Sequence, residues 1–158
     1  MRLKIKKILN LWYNFEKFKG KSLSQYSQLL DKLKKDISII SAKKKKFNKN
    51  QKIMIKFING VTNEAQFNLG NISIKLEKGD ENKGFKHILL KHYHKNDLDT
   101  IDILNMIDIY IRGMKLQNEG LSNRYLTAYM RINKQKEYRL ILNENETPTM
   151  IITSYRKV

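Results

Sequence analysis

Three histidines stand within one short stretch of the chain, Gly84–His94. They are His87, His92 and His94, and Lys91 lies between the first two. Each residue of an α-helix advances by ~100°, so the spacing predicts that His87, Lys91 and His94 share one stripe. Histidine has an unperturbed pKa of ~6.5, which lets it give and take protons near neutrality. The stretch therefore predicts a helix that carries proton-transfer groups, the alternative being ordinary histidines at the edge of the core or on the surface.

Composition limits the other chemistry that the chain could perform. The sequence has no cysteine, which excludes disulfides, thiol catalysis and cysteine-ligated zinc. A metal site built from the three histidines is an alternative, but the nearby acids belong to another helix and the ligand spacing is unremarkable. We expect no metal and no cofactor.

The positive charge of the chain is unevenly distributed. The net charge is +17, with 17 Lys and Arg against 3 Asp and Glu in residues 1–56, and 15 against 12 in residues 57–158. A basic arm on a nearly neutral domain indicates attraction to an anionic partner, either nucleic acid or a membrane surface. The alternative is a lysine-rich composition that only keeps the protein soluble.

The sequence lacks the pattern of a membrane protein. No run approaches the ~18 apolar residues of a transmembrane helix. The start resembles the charged region of a signal peptide, but Asn10, Asn14 and Glu16 interrupt the apolar residues that follow. We expect a soluble protein that acts in the cytoplasm, whether it is made there or delivered.

The first third of the chain predicts two amphipathic helices and a linker. Apolar residues follow helical spacing between Ile5 and Phe18, and Gly20 ends that helix. A second helix begins at Ser22, which forms a capping box with Gln25. Its apolar face consists of Leu23, Tyr26, Leu29, Leu30, Leu33 and Ile37. The two helices pair with each other or dock on the later domain, or the first of them lies on a membrane surface.

A lysine-rich stretch, residues 41–52, has no apolar periodicity and is predicted to be a solvated linker. It divides a basic helical segment, 1–52, from a compact domain, 53–158. Residues 53–58 are either a short strand or a last helical turn. The rest predicts a strand over 72–77, helices over 84–94 and 97–113, and strands over 114–117, 124–132, 137–143 and 149–155. This order, N-terminal helices followed by a small antiparallel sheet, defines an α+β fold.

Two motifs of the second domain occur in a fixed order. Gly84–His92 reads G-F-K-H-I-L-L-K-H, and Ile151–Tyr155 reads I-I-T-S-Y, with a helix ending at Gly113 and two paired strands between them. The arrangement resembles phage and toxin members of the barnase–EndoU–colicin–RelE-like ribonuclease superfamily. In those proteins a G-x-K-H-I-x-x-K-H helix precedes the sheet, and an I-T-x-Y strand lies near the C-terminus. The resemblance covers roughly residues 67–158 and leaves the basic N-terminal helices unexplained.

The resemblance implies metal-independent cleavage of RNA, in which the ribose 2′-hydroxyl attacks phosphorus and leaves a 2′,3′-cyclic phosphate and a 5′-hydroxyl. Such chemistry needs a base, an acid and cations around the phosphorane. His87 and His92 match the histidine positions of the family, and Lys91 would stabilise the phosphorane. Thr153 and Tyr155 lie two apart on one strand face, where their hydroxyls would hold the phosphate or orient a histidine.

The expected partner is RNA, whether tRNA, mRNA or ribosomal RNA, and the resemblance also admits an acidic antitoxin or immunity protein. Further RNA contacts are expected from cations of the sheet and the linker, namely Arg124, Arg131, Arg139, Lys43, Lys44, Lys45 and Lys46.

One spacing conflicts with a simple two-histidine site. His87 and His92 are five residues apart, ~140° around an α-helix, so a straight helix cannot aim both at one phosphate. Either the helix ends before His92 or only one of the two is catalytic. His94 is better placed by angle but matches nothing in the family. The spacing therefore leaves the acid and the base unassigned.

Two functions of other classes remain open. One is a non-catalytic nucleic-acid-binding protein that acts through its basic arm, although no RRM signature or zinc-finger spacing supports a named binding fold. The other is a structural or regulatory phage protein that keeps the fold without the activity.

Overall fold

The computed structural model describes residues 21–43, 46–93, 95, 97–117 and 125–157. In this part the chain is α+β, as predicted, with short helices packed against one open six-stranded sheet. The first helix of the described part, α1 (Lys21–Ala42), confirms the predicted amphipathic helix, because Tyr26, Leu29, Leu33 and Ile37 are buried along one side. The helix predicted over residues 5–18 and the side chain of Ser22, the predicted cap, lie outside the described part.

Helix α2 (Lys49–Ile58) settles the conformation of residues 53–58. Asn48 caps it, with its side chain accepting the Gln51 N–H at 2.8 Å and the Gln51 side chain accepting the Asn48 N–H at 3.0 Å. The predicted linker is consequently shorter than residues 41–52, since α1 extends to Ala42 and α2 begins at Lys49. The expected boundary between residues 52 and 53 falls within α2, whose Met54 shares one core with Leu33 of α1.

The sheet has the order β1-β2-β6-β5-β4-β3. Neighbouring strands are antiparallel except β2 and β6, which are parallel. The strands predicted from alternation are confirmed, and a strand at 64–68 that the sequence does not indicate precedes them. The strands are β1 (Glu64–Asn68), β2 (Ser73–Glu77), β3 (Met114–Gln117), β4 (Tyr125–Arg131), β5 (Glu137–Asn143) and β6 (Thr149–Lys157).

The segment that carries the histidines is anchored at both ends. It consists of α3 (Phe85–Ile88) and a π-helical turn (Leu89–Tyr93), here together called the histidine helix. Phe85 is buried against the rings of Phe57 and Tyr26, at centroid distances of 5.1 and 6.5 Å. At the other end, the buried Tyr93 hydroxyl donates to Asp36 of α1 at 3.2 Å. These contacts fix the helix relative to α1 and α2.

The histidine helix lies beside the edge of β6. Strands β2 and β6 pair only at Ile74–Thr149 and Lys75–Met150. Beyond these pairs β2 no longer bonds to β6. The start of the histidine helix takes its place beside β6, because the Gly84 N–H donates to the Ile152 carbonyl at 2.8 Å. The helix thereby reaches the C-terminal half of β6.

The helix predicted over residues 97–113 is wrong as a single element, because the structure breaks it into two. They are α4 (Thr100–Leu104), capped by Asp99, and α5 (Asp108–Arg112), with a turn at Asn105–Ile107. The helical spacing of the apolar residues predicts one buried stripe, formed by Leu98, Ile101, Leu104, Ile107 and Ile111. Leu98, Leu104 and Ile107 are buried, whereas Ile101 and Ile111 are exposed by 38% and 47%. The break widens the buried face, which also takes in Ile103, Met106 and Ile109.

The core lies between the helices and one face of the sheet. Leu126, Ala128, Leu140, Leu142 and Ile151 point towards the helices. The opposite face, here called the open face, carries the alternate residues of β4, β5 and β6. Among the described helices none is long and apolar enough to cross a membrane.

Candidate active site

The π-helical turn removes the conflict in the spacing of His87 and His92. A π-helix forms i→i+5 hydrogen bonds and so has a wider turn than an α-helix, which brings residues five apart closer to one face. The two imidazole rings lie 5.8 Å apart between centroids, with an edge-to-face angle of 77°. The helix therefore continues through His92 instead of ending before it, and both rings lie within reach of one ligand. π-turns within helices are frequent at functional sites.

His92 belongs to a chain of hydrogen bonds that ends on the backbone of β6. Its Nδ1 lies 2.6 Å from Asp97 Oδ2, and Asp97 Oδ1 accepts the Arg156 N–H at 3.1 Å. An ionised carboxylate only accepts, so Nδ1 of His92 carries the proton and Nε2 is left for another partner. Burial lowers the pKa of His92 from its ordinary value, against the opposing effect of Asp97. The hydrogen bond to Asp97 therefore defines the tautomer of His92, and burial favours its neutral form.

His87 is oriented by the loop before the helix. Its Nδ1 lies 2.8 Å from the Glu81 carbonyl oxygen, which can only accept, so this nitrogen also donates. The loop itself is fixed by the Asp80 side chain, which accepts the N–H groups of Asn82 and Lys83 at 2.8 and 3.1 Å. Both histidines thus turn Nδ1 to a fixed acceptor and keep Nε2 for a ligand.

The sheet contributes Tyr155 and Arg139 to the same region. The Tyr155 ring stacks on His92, with centroids 5.5 Å apart and planes inclined by 26°. Arg139 is the cross-strand partner of Tyr155, and its Nε and Nη2 donate to Glu137 Oε1 at 2.9 and 2.6 Å. The hydrogen bonds to Glu137, and then to Tyr155, raise the pKa of Arg139 above its ordinary value. A permanent cation thus lies next to the stacked pair.

Thr153 lies one step along the same strand face, opposite Ile141. Its Oγ1 is buried and has no hydrogen-bond partner within the described part of the chain. Lys91 is exposed on the π-helical turn and makes no hydrogen bond or ion pair with the described residues. The structure therefore gathers His87, His92 and Tyr155, with Thr153 beside them, and exposes Lys91 to solvent.

The other cations predicted to bind RNA are dispersed. Arg131 is exposed at the end of β4, next to the cross-strand partner Glu137. Lys43 and Lys46 are exposed at the two sides of the linker, remote in sequence from the histidines. Arg124, Lys44, Lys45 and His94 lie outside the described residues.

Three residues that the sequence pattern does not single out take part in the site. Asp97 is predicted only as the first residue of the helix over 97–113, and Glu81 and Glu137 are not predicted to have a role. The signal for Glu137 is nevertheless present, because residues two apart on a strand share a face and Arg139 follows it. Asp97 and Glu81 reach the histidines through turns, whose geometry the pattern of residue types does not encode.

No family model and no curated protein matches this chain. The described residues also contain no group of three His, Asp or Glu side chains arranged to hold a metal ion.

Proposed function

We propose that this protein is a metal-independent endoribonuclease that cleaves RNA to a 2′,3′-cyclic phosphate and a 5′-hydroxyl. One observation carries the proposal: two imidazoles converge beside Tyr155, and each has Nδ1 engaged by a fixed acceptor. Such a pair supplies two Nε2 atoms for proton transfer, which transesterification at phosphorus requires. The resemblance of the two motifs to ribonucleases of the barnase–EndoU–colicin–RelE-like superfamily supports the same reaction.

In this proposal His92 is the base. Its lowered pKa favours the neutral form that a base needs, and the hydrogen bond to Asp97 leaves Nε2 with its lone pair. Nε2 accepts the proton of the 2′-hydroxyl while that oxygen forms a bond to phosphorus. Asp97 then stabilises the imidazolium that results.

His87 is the acid. In its protonated form Nδ1 donates to the Glu81 carbonyl and Nε2–H donates to the 5′ oxygen as the bond from phosphorus to that oxygen breaks. In-line displacement puts the attacking and leaving oxygens on opposite sides of phosphorus, so the base and the acid have to be separate groups. Arg139 and Lys91 stabilise the negative charge that develops on the phosphorane.

The test is incubation of the protein with tRNA and total RNA in excess EDTA, followed by mapping of the cut ends. We expect full activity with chelator and products that carry cyclic phosphates. His87→Ala or His92→Ala should each lower the rate by ~10²–10⁴-fold. His94→Ala, which matches no position of the family motif, is the control and should have little effect. Cleavage that requires added magnesium, or that yields 5′-phosphates, would falsify this function.

The assignment of acid and base has its own test. A substrate whose leaving 5′ oxygen is replaced by sulfur needs little protonation of the leaving group. It should restore the rate of His87→Ala but not that of His92→Ala, and the reverse result would exchange the two roles. Complete absence of cleavage with intact RNA binding would favour the alternative, a non-catalytic nucleic-acid-binding protein.

A further inference from the structure

The end of the β4–β5 hairpin forms a cationic pocket on the open face of the sheet. Four basic residues line a cavity of ≈ 150 Å³ together with Glu137. We call this cavity the hairpin pocket. Its positive charge comes from Arg131 and Lys157 at the ends of β4 and β6, and from Lys134 and Lys136 in the loop.

Charge compensation within this pocket is incomplete. Glu137 is the only acid among the described residues that line it, and its carboxylate accepts two hydrogen bonds from Arg139. None of the four cations forms an ion pair within the described part of the chain. Uncompensated cations that converge on a cavity attract an anion, and a phosphate has the acceptors for several of them.

The loop that carries two of the lysines is ordered. Asn133 Oδ1 accepts the N–H groups of Gln135 and Lys136 at 2.8 and 2.9 Å. The Ile132 N–H donates to the Lys136 carbonyl at 2.9 Å and closes the hairpin. The lysines are thus projected from a backbone that is fixed before a ligand binds, which lowers the entropic cost of binding.

The position of the pocket relates it to the histidines. Cross-strand pairing forms two adjacent rows on the open face, one of Tyr129, Arg139 and Tyr155, the other of Arg131, Glu137 and Lys157. His92 stacks on the end of the first row. The second row is two residues further along each strand, a distance of ~6.7 Å. Lys157 thus lies one such step beyond Tyr155 along β6, a distance comparable to that between neighbouring phosphates of an extended single strand.

We propose that the hairpin pocket binds the phosphate next to the scissile one. The inference rests on the proposed function, because it takes the histidines as the place where the scissile phosphate lies. Single-stranded RNA would then run over the open face along β6 towards the β4–β5 loop, with one phosphate at His87 and His92 and a neighbour held by Arg131, Lys134, Lys136 and Lys157.

Binding is tested first, in a manner that does not depend on cleavage. The probe is a single-stranded 2′-O-methyl oligonucleotide, which lacks the attacking hydroxyl. Lys134→Ala/Lys136→Ala should reduce the log–log slope of affinity against salt by about 0.7, the value for one phosphate that the protein no longer neutralises. Lys49→Ala/Lys52→Ala, an equal change of charge on the exposed side of α2, should leave the slope near that of the wild type. Equal slopes for the wild type and the hairpin variant would overturn the proposal.

Position is tested by cleavage. A DNA oligonucleotide with one ribonucleotide fixes the cut, and a neutral methylphosphonate replaces the phosphate on one side of it or on the other. On one of the two sides, we expect the methylphosphonate to decrease kcat/KM of the wild type but not that of Lys134→Ala/Lys136→Ala. The neutral linkage and the lysine substitutions remove the same interaction, so their effects do not add. Equal decreases in both proteins at both sides would refute the subsite. If neither protein cleaves, the proposed function fails and the salt slope alone decides whether the pocket binds phosphate.

Discussion

Asp97 lies just beyond the C-terminal end of the histidine helix and orients His92 through a hydrogen bond. Its two carboxylate oxygens serve different partners, the imidazole on one side and the Arg156 N–H of β6 on the other. A carboxylate held in this way cannot rotate without breaking a bond to the sheet. The position of β6 therefore fixes the orientation of Asp97, and Asp97 fixes the tautomer and the orientation of His92.

Asp97→Asn should lower cleavage, but by less than the ~10²–10⁴-fold expected for His92→Ala. Burial lowers the pKa of His92, and the hydrogen bond and charge of Asp97 oppose this shift. Without the carboxylate the pKa of His92 falls further. A base is active only when deprotonated, so the acid limb of the pH profile of kcat/KM should move to lower pH.

The control for this change is Asp31→Asn, which removes one exposed carboxylate from α1. Its profile should coincide with that of the wild type. A limb that stays in place in Asp97→Asn would show that His92 is not the titrating base.

Among the elements, the π-helical turn is what the sequence could not predict. On a regular α-helix His87 and His92 would be ~140° apart around the axis. In the structure their ring centroids are 5.8 Å apart. Residue types at this spacing are equally compatible with α- and π-turns. The choice depends on long-range contacts at both ends, Phe85 in the core and Tyr93 against Asp36.

Gly84 fixes the start of this helix. It has φ +85° and ψ −164°, a conformation that is essentially restricted to glycine, and a Cβ there would lie 2.9 Å from the Glu77 carbonyl oxygen. Gly84→Ala should therefore lower the free energy of unfolding by about 1–3 kcal/mol. It should also lower cleavage, because the bond from Gly84 to Ile152 holds the helix against β6.

Gly70→Ala is the matched control, since Gly70 has φ +84° but open space around a Cβ. Urea denaturation should give the smaller decrease in stability for Gly70→Ala, and its rate of cleavage should be unchanged. Equal decreases for the two variants would mean that the contacts with Glu77 do not constrain Gly84.

At the scale of the whole molecule, much of the fold follows from local pattern. Alternation in 125–131 and 137–143 predicts both strands, because successive side chains of a strand point to opposite faces of the sheet. The order of strands in the sheet does not follow, since the parallel pairing of β2 with β6 joins residues more than 70 apart in sequence. For the same reason the sequence identifies the motif residues on the helix and on β6, but it does not predict the contacts of His92 with Asp97 and of His87 with Glu81.

Charge is also a property of the whole chain, with +14 of the net +17 in residues 1–56. Reversal of Lys43–Lys46 to glutamate should weaken RNA association and flatten its salt dependence, by about 0.7 in log–log slope for each phosphate that these lysines neutralise. Cleavage at saturating RNA should persist, since the proposed catalytic residues lie between 87 and 155. Unchanged affinity and slope would assign these lysines to solubility.

The place of β6 in the sheet has a consequence for how the protein is made. A ribosome delivers the β1–β2 hairpin and the histidine helix first, and β6 follows as the last described strand. Until β6 is present, Gly84 and Asp97 lack their backbone partners and His92 lacks Tyr155. A nascent chain therefore holds both histidines in an unassembled state. The proposed nuclease activity would therefore arise only after β6 has been translated.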